Sequence, residues 1–168
     1  MRLILLFGMF AVLGLAFETA LPHLISVRSI VPNLIVILAV DLGLRHHGVL
    51  PAALAFGMGY ATDALAGSHP GLNAFIVTLV FLVSYEVSSR LLVTNAFVGA
   101  TIVFFGVIVT DLGASAIGTG FSALGESGPV VPFMVLQAIV SALVAPIVFS
   151  VLAGGKRLVG LPGRAARE

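Results

Sequence analysis

Glu18, Asp41, Asp63, Glu86 and Asp111 are five of the seven carboxylates in a chain of 168 residues, and each stands inside an apolar stretch. An acid that far from water persists when a cation or hydrogen-bond donor satisfies it, or when it lines a hydrated path for protons, ions or a ligand. Asp41 precedes Arg45 and Glu86 precedes Arg90 by one helical turn, the acid-first order that pairs well on a helix. These four residues read as ion-pair staples near one membrane face. Asp63 lies near the C-terminal end of its stretch, where the helix dipole disfavours an anion. The run that follows, Gly67-Ser68-His69-Pro70-Gly71, turns the chain, and the amides opening the next helix point back unsatisfied. The expectation is that Asp63 accepts from those amides and locks the hairpin. A proton or ion site is the weaker reading, because no second acid is near in sequence to form a relay. Glu18 and Asp111 have no basic residue one turn away. Hydrogen bonding to neighbouring helices, protonation where burial disfavours the charge and the lining of a hydrated cavity all stay open for them.

Signatures of enzymes are missing. There is no HExxH helix, GxSxG elbow, GxxxxGK[ST] loop or GxGxxG turn, and Gly57-Met58-Gly59 is too short to count as one. Without cysteine the chain has no disulfide, thiolate nucleophile or Cys-based metal site. His46 and His47 are adjacent, so they point to different faces of a helix and make a poor metal pair; His23 and His69 stand singly. No catalytic, cofactor-binding or metal-ligating residue is assigned. Lys156, Arg157, Arg164 and Arg167 make the C-terminal end basic, which suits anionic lipid, a cytoplasmic partner or simple topology marking.

The stretches that carry the acids are membrane-spanning in character. The chain is 60% hydrophobic and 9% charged, with a mean hydropathy of +1.20, far from the roughly 25% charged residues of a soluble domain. Breakers and polar runs divide it into six predicted spans, 3–21, 31–44, 49–65, 72–92, 97–117 and 130–152, with 153–168 as a polar tail. The first is stopped by Pro22, the second opens with Pro32 in its first turn, and Gly154-Gly155 releases the tail. The 31–44 span is short for a crossing of ~30 Å. All-α architecture and a single integral-membrane domain follow. Seven basic residues fall at the N-terminus, in the second and fourth loops and in the tail, against Arg28 alone in an opposite loop. That bias puts both termini in the cytoplasm. The residues before Ala20 lack the small-residue pattern of a signal-peptide cleavage site, so the first span is expected to be retained. On the third span Ala53, Gly57 and Ala61 form one row of small residues and Ala55, Gly59 and Asp63 a second. Gly113 to Gly120 gives the fifth a smooth surface, and such rows permit close helix approach.

Pro32-Asn33-Leu34-Ile35, then Leu42-Gly43-Leu44-Arg45, then Ala55 to Gly67 with Gly59, Asp63 and Gly67 in fixed spacing, then Pro70-Gly71-Leu72-Asn73-Ala74 resemble the rod shape-determining protein MreD family over roughly residues 30 to 92. The resemblance implies a non-enzymatic component of the bacterial inner membrane, within the cell-elongation machinery that inserts peptidoglycan into the side wall. Its implied partners are the single-span scaffold MreC, the actin-like MreB, the glycosyltransferase RodA and a class B penicillin-binding protein. The implied structural candidates are Pro32, Asn33, Gly57, Gly59, Asp63, Gly67, Pro70 and Gly71. The family fold is similar to that of the six-helix substrate-binding subunits of energy-coupling-factor transporters. That similarity supplies the alternative, a vitamin-binding membrane subunit with Glu18, Asp63 and Asp111 lining an outward cavity. Such a pocket needs convergent polar or aromatic groups, and a chain with no Trp and two Tyr favours the scaffold.

Overall fold

The computed structural model describes residues 2–24, 31–46, 48–66, 71–90, 96–118 and 130–158. Over these the chain forms six helices: α1 (Arg2–Leu24), α2 (Leu34–Arg45), α3 (Val49–Ala66), α4 (Leu72–Arg90), α5 (Ala96–Gly118) and α6 (Val130–Leu158), with no strand among the described residues. Proline at the third position of α3 and of α6, Pro51 and Pro132, falls in a first turn where no backbone N–H is needed. Gly48 and Gly71 have positive φ, 126° and 96°, and glycine is the residue that enters this region at no steric cost.

Three boundaries differ from expectation. Helix α1 continues two residues past Pro22, which places the proline in its last turn at the cost of the backbone bond that residue 22 would otherwise donate. Helix α2 begins at Leu34, with Asn33 as its N-cap in extended geometry and Pro32 outside the helix. The Asn33 carboxamide oxygen accepts from Val36 N at 3.0 Å, which supplies one of the bonds that a first turn lacks. Helix α6 runs through Gly154-Gly155 to Leu158. Lys156 in that last stretch is buried against Asp41, which offsets the ~1 kcal/mol that each glycine costs a helix.

Helix α2 is the centre of the bundle. It packs on each of the other five helices, and every residue from Ile35 to Leu44 is buried. One side of it, with Ile35, Leu38 and Leu42, joins a core with Phe7 and Leu15 of α1, Met58 of α3 and Phe81 of α4. The other, with Val36, Ile37 and Val40, joins Val103 and Val107 of α5 and Ala138, Ala145 and Phe149 of α6. A helix apolar all round belongs inside a core. The surrounding helices turn large apolar groups outwards, among them Leu5, Val12, Phe75, Phe97, Leu143 and Ile147. Leu72–Arg90 and Pro132–Lys156 are long and apolar enough to cross a membrane; Ile4–Ala20, Val49–Leu65 and Phe97–Gly113 are shorter apolar helices. At 12 residues α2 is about 18 Å long.

Of the two small-residue rows on α3, one faces inwards. Ala55 and Asp63 are buried, and a Cβ on Gly59 would stand 2.6 Å from both Ala74 Cα and Asn73 O of α4. Gly57, in the other row, has open space around it. A side chain at Gly43 would likewise meet the backbone of α4 at Phe81 O, 2.6 Å away. Backbone cannot yield as a side chain can. Gly59→Ala should therefore destabilise the bundle by about 1–3 kcal/mol through overpacking. The same change at Gly57 should be neutral or stabilise by up to about 1 kcal/mol through helix propensity. Unfolding in mixed detergent micelles measures both.

Candidate functional site

A helix sealed on all sides must find partners for its terminal N–H and C=O groups. At the start of α2 these come from three places. The Glu18 carboxylate on α1 accepts from Leu34 N at 2.6 Å, Asn33 caps Val36 N, and Ser141 Oγ on α6 accepts from Asn33 N at 3.0 Å. An anion at this end is also favoured by the dipole. Glu18 is thus hydrogen-bonded to a backbone amide of a neighbouring helix, one of the roles open to it.

The other end of α2 is held by charge. Asp41 is 1% exposed, and Arg45 Nε lies 2.7 Å from its Oδ1, the pairing expected from spacing. Its Oδ2 receives Lys156 Nζ from α6. Lys156 also lies over the ring of Phe7 of α1, 5.1 Å from the centroid, a cation–π placement. Phe7 in turn meets His46 edge to face at 6.0 Å. Ser88 Oγ of α4 donates to Leu44 O at 2.7 Å, so the last turn of α2 is tied to α1, α4 and α6 together. Lys156, placed in the basic tail by sequence, belongs to this core.

Asp63 closes the α3–α4 hairpin. It is 2% exposed and accepts from Gly71 N at 2.9 Å, Asn73 N at 3.1 Å and Ala74 N at 3.2 Å. These are the amides that open α4, and bonds from N–H to an ionised acceptor are the stronger kind. Gly59, one turn before Asp63, brings the two helices close enough for the carboxylate to reach. Gly71 takes the positive φ of the turn; Gly67 and Pro70 lie outside the described residues.

The remaining acids differ. Glu86 and Arg90 form an ion pair at 2.6 Å on the outer surface of α4, 54% and 78% exposed; it lies within one helix and staples no second element. Asp111 Oδ2 is buried without a hydrogen-bond partner among the described residues. The buried hydroxyls of Ser84 and Thr110 return to the carbonyls of Val80 and Gly106 in their own helices, the usual local solution. Among the described residues no group of three or more His, Asp or Glu could hold a metal ion.

Sequence reasoning missed Lys156, Ser141, Ser88 and Phe7. The available signal for Lys156 was its place directly at the end of a long apolar run. For Ser141 and Ser88 no local pattern separates a bridging hydroxyl from one that bonds back to its own helix.

All-helical construction over the described residues, two helices long and apolar enough to cross a membrane and large apolar groups on the outer faces are consistent with a membrane protein. The family model for rod shape-determining protein MreD matches residues 1–153, and the chain belongs to that family. No curated protein and no solved structure matches the chain.

Two substitution sets test the framework. Asp63→Ala should cost ~1.5–3 kcal/mol by leaving buried amides without an acceptor, and Asp63→Asn, which keeps an oxygen there, should cost less; folded yield and detergent unfolding report both. Lys156→Met should cost about 3–5 kcal/mol by leaving Asp41 with half its charge partners, and adding Asp41→Leu should recover part of the loss. Losses in the Lys156→Met and Asp41→Leu single variants that simply add in the double variant would show that the pair is not coupled.

Proposed function

We propose that the protein is a non-enzymatic scaffold in the cell-elongation complex of the bacterial inner membrane, linking an MreC-like single-span protein and the actin-like MreB to the peptidoglycan synthases RodA and a class B penicillin-binding protein. Membership of a rod shape-determining family carries the reading. The use of the buried acids supports it. Glu18, Asp41 and Asp63 are committed to backbone amides and cations of the bundle itself. A small-molecule cavity would need two of them, Glu18 and Asp63, as its polar lining. A protein that only positions others needs a stiff frame with its outer faces available, and polar ties across a low-dielectric interior stiffen such a frame.

In this proposal all six helices lie in the bilayer, with α2 shielded from lipid and both termini in the cytoplasm. The excess of Lys and Arg at the N-terminus, in alternate loops and in the tail supports that orientation. The ends of α2 and α4 that carry Arg45 and Arg90 then face the cytoplasm, and the Asp63 hairpin faces the periplasm.

Tags at Met1 and Glu168 should report from the cytoplasm and a probe at Ser68 should be reached from outside; external labelling of the C-terminus would refute the six-span arrangement. Purification in mild detergent should recover an MreC-like protein, and depletion should turn rods into spheres. Retention of a vitamin, or genomic adjacency to transporter ATPase frames in place of an MreC-like frame, would favour a transport subunit.

A further inference from the structure

Among the described residues Asp111 is the one acid with a buried oxygen that no group of the bundle meets. It lies on α5 seven residues before Gly118, about 10 Å from the outward end of that helix at 1.5 Å per residue. A Cβ on Gly106 would meet Val36 of α2, and a Cβ on Gly113 would meet Ile76 of α4, which sets Asp111 level with the first turns of both. The amides there are already taken. Glu18 and Asn33 accept from those of α2, and Asp63 accepts from those of α4. Thr110 and Ser115, its neighbours on α5, donate to the carbonyls of Gly106 and Leu112.

The bundle supplies no counter-charge either. Helix α5 packs on α2, α4 and α6, and every Lys and Arg of those three helices stands at the opposite end: Arg45, Arg90, Lys156 and Arg157. None belongs to α5 itself. One carboxylate oxygen of Asp111 is sealed in packing, yet the residue as a whole is partly exposed. The helical turn places it on the flank of α5 between buried Val107 and exposed Leu112. An acid so placed among apolar helices requires a counter-group, and the flank open to the surroundings is where one enters.

We propose that Asp111 is the docking point for a membrane helix of another protein, one that carries a Lys or Arg within about two turns of its outward end. Two turns is the depth of Asp111 itself, ~10 Å, and a long basic side chain reaches that depth with its stem in an apolar layer and its charge on the carboxylate. Val109 and Leu112, both exposed on α5, give the incoming helix apolar surface to pack on. A neutral acid without any cation, a second copy of this chain and the amine of a lipid headgroup are the competing occupants. The inference rests on the membrane topology and scaffold role proposed above and adds to them where a partner binds and by which chemistry.

The test uses the full chain in its own membrane, with a photoactivatable residue in place of exposed Leu112 and crosslinked peptides read by mass spectrometry. With Asp111 intact, the probe should join a membrane helix that has Lys or Arg in its outward two turns. Asp111→Asn keeps the shape without the charge and should lower that crosslink about tenfold, the ratio given by one charged contact worth ~1.4 kcal/mol. Asp111→Lys should abolish it, and replacing the basic residue of the joined helix by Glu should restore it. This exchange of charges decides the matter if Asp111→Asn does not accumulate. An unchanged crosslink in Asp111→Asn overturns the proposal and leaves a neutral acid. Crosslinks confined to lipid or to a second copy of this chain overturn it as well. The scaffold reading fails separately, if wild type recovers no MreC-like protein in mild detergent; recovery of that protein beside a crosslink indifferent to position 111 refutes this inference alone.

Discussion

The bundle depends on burying one short helix, α2, while end groups of its first and last turns are met by side chains of neighbouring helices. A backbone N–H or C=O stranded in an apolar interior costs as much as a lost hydrogen bond, and a helix offers several of each at its ends. The chain answers with partners brought from its neighbours. Glu18 and Ser141 serve the first turn, Ser88 serves the last, and Asp41 within α2 draws Lys156 from the far end of α6. Burying α2 and orienting α1, α4 and α6 are one and the same event, since each of those helices supplies a group that α2 requires.

The Asp63 hairpin is a second, smaller instance of this constraint. Three amides of α4 converge on one carboxylate, and the approach that makes this possible is set by Gly59, whose Cα side lies against the backbone of Asn73 and Ala74. Together these fix α3 and α4 as a unit against α2. Among the described residues the exterior is mostly apolar, with Arg45 and the Glu86–Arg90 pair as exposed charges. Under the scaffold proposal, polar chemistry holds the frame and the outer faces meet lipid and other membrane proteins through packing.

Much of this was legible in the sequence where acceptor and donor are close along the chain. Asp63 lies eight, ten and eleven residues from its three donors, and a helix end, a breaker run and a helix start are all local features. Asp41 with Arg45 and Glu86 with Arg90 are one turn apart. The order of the described helices and their apolar character also follow from residue type and periodicity, because these are properties of each segment by itself. The family resemblance rests on the same kind of local spacing.

What only the tertiary structure decided is which of these segments is central and how its ends are met. Ser141 and Lys156 stand 108 and 115 residues from the groups they satisfy, and no periodicity links positions so far apart. Asn33 could be recognised as part of a motif, yet its role as the N-cap of a helix that excludes Pro32 depends on where the flanking helices place Glu18 and Ser141. Gly57 and Gly59 are indistinguishable as small residues; α4 packs on one and leaves the other open. The physical reason is common to all of these. Local sequence sets which backbone groups a helix end exposes, whereas the partner for a buried group is whichever side chain packing brings within about 3 Å, and that is settled only when the helices have assembled.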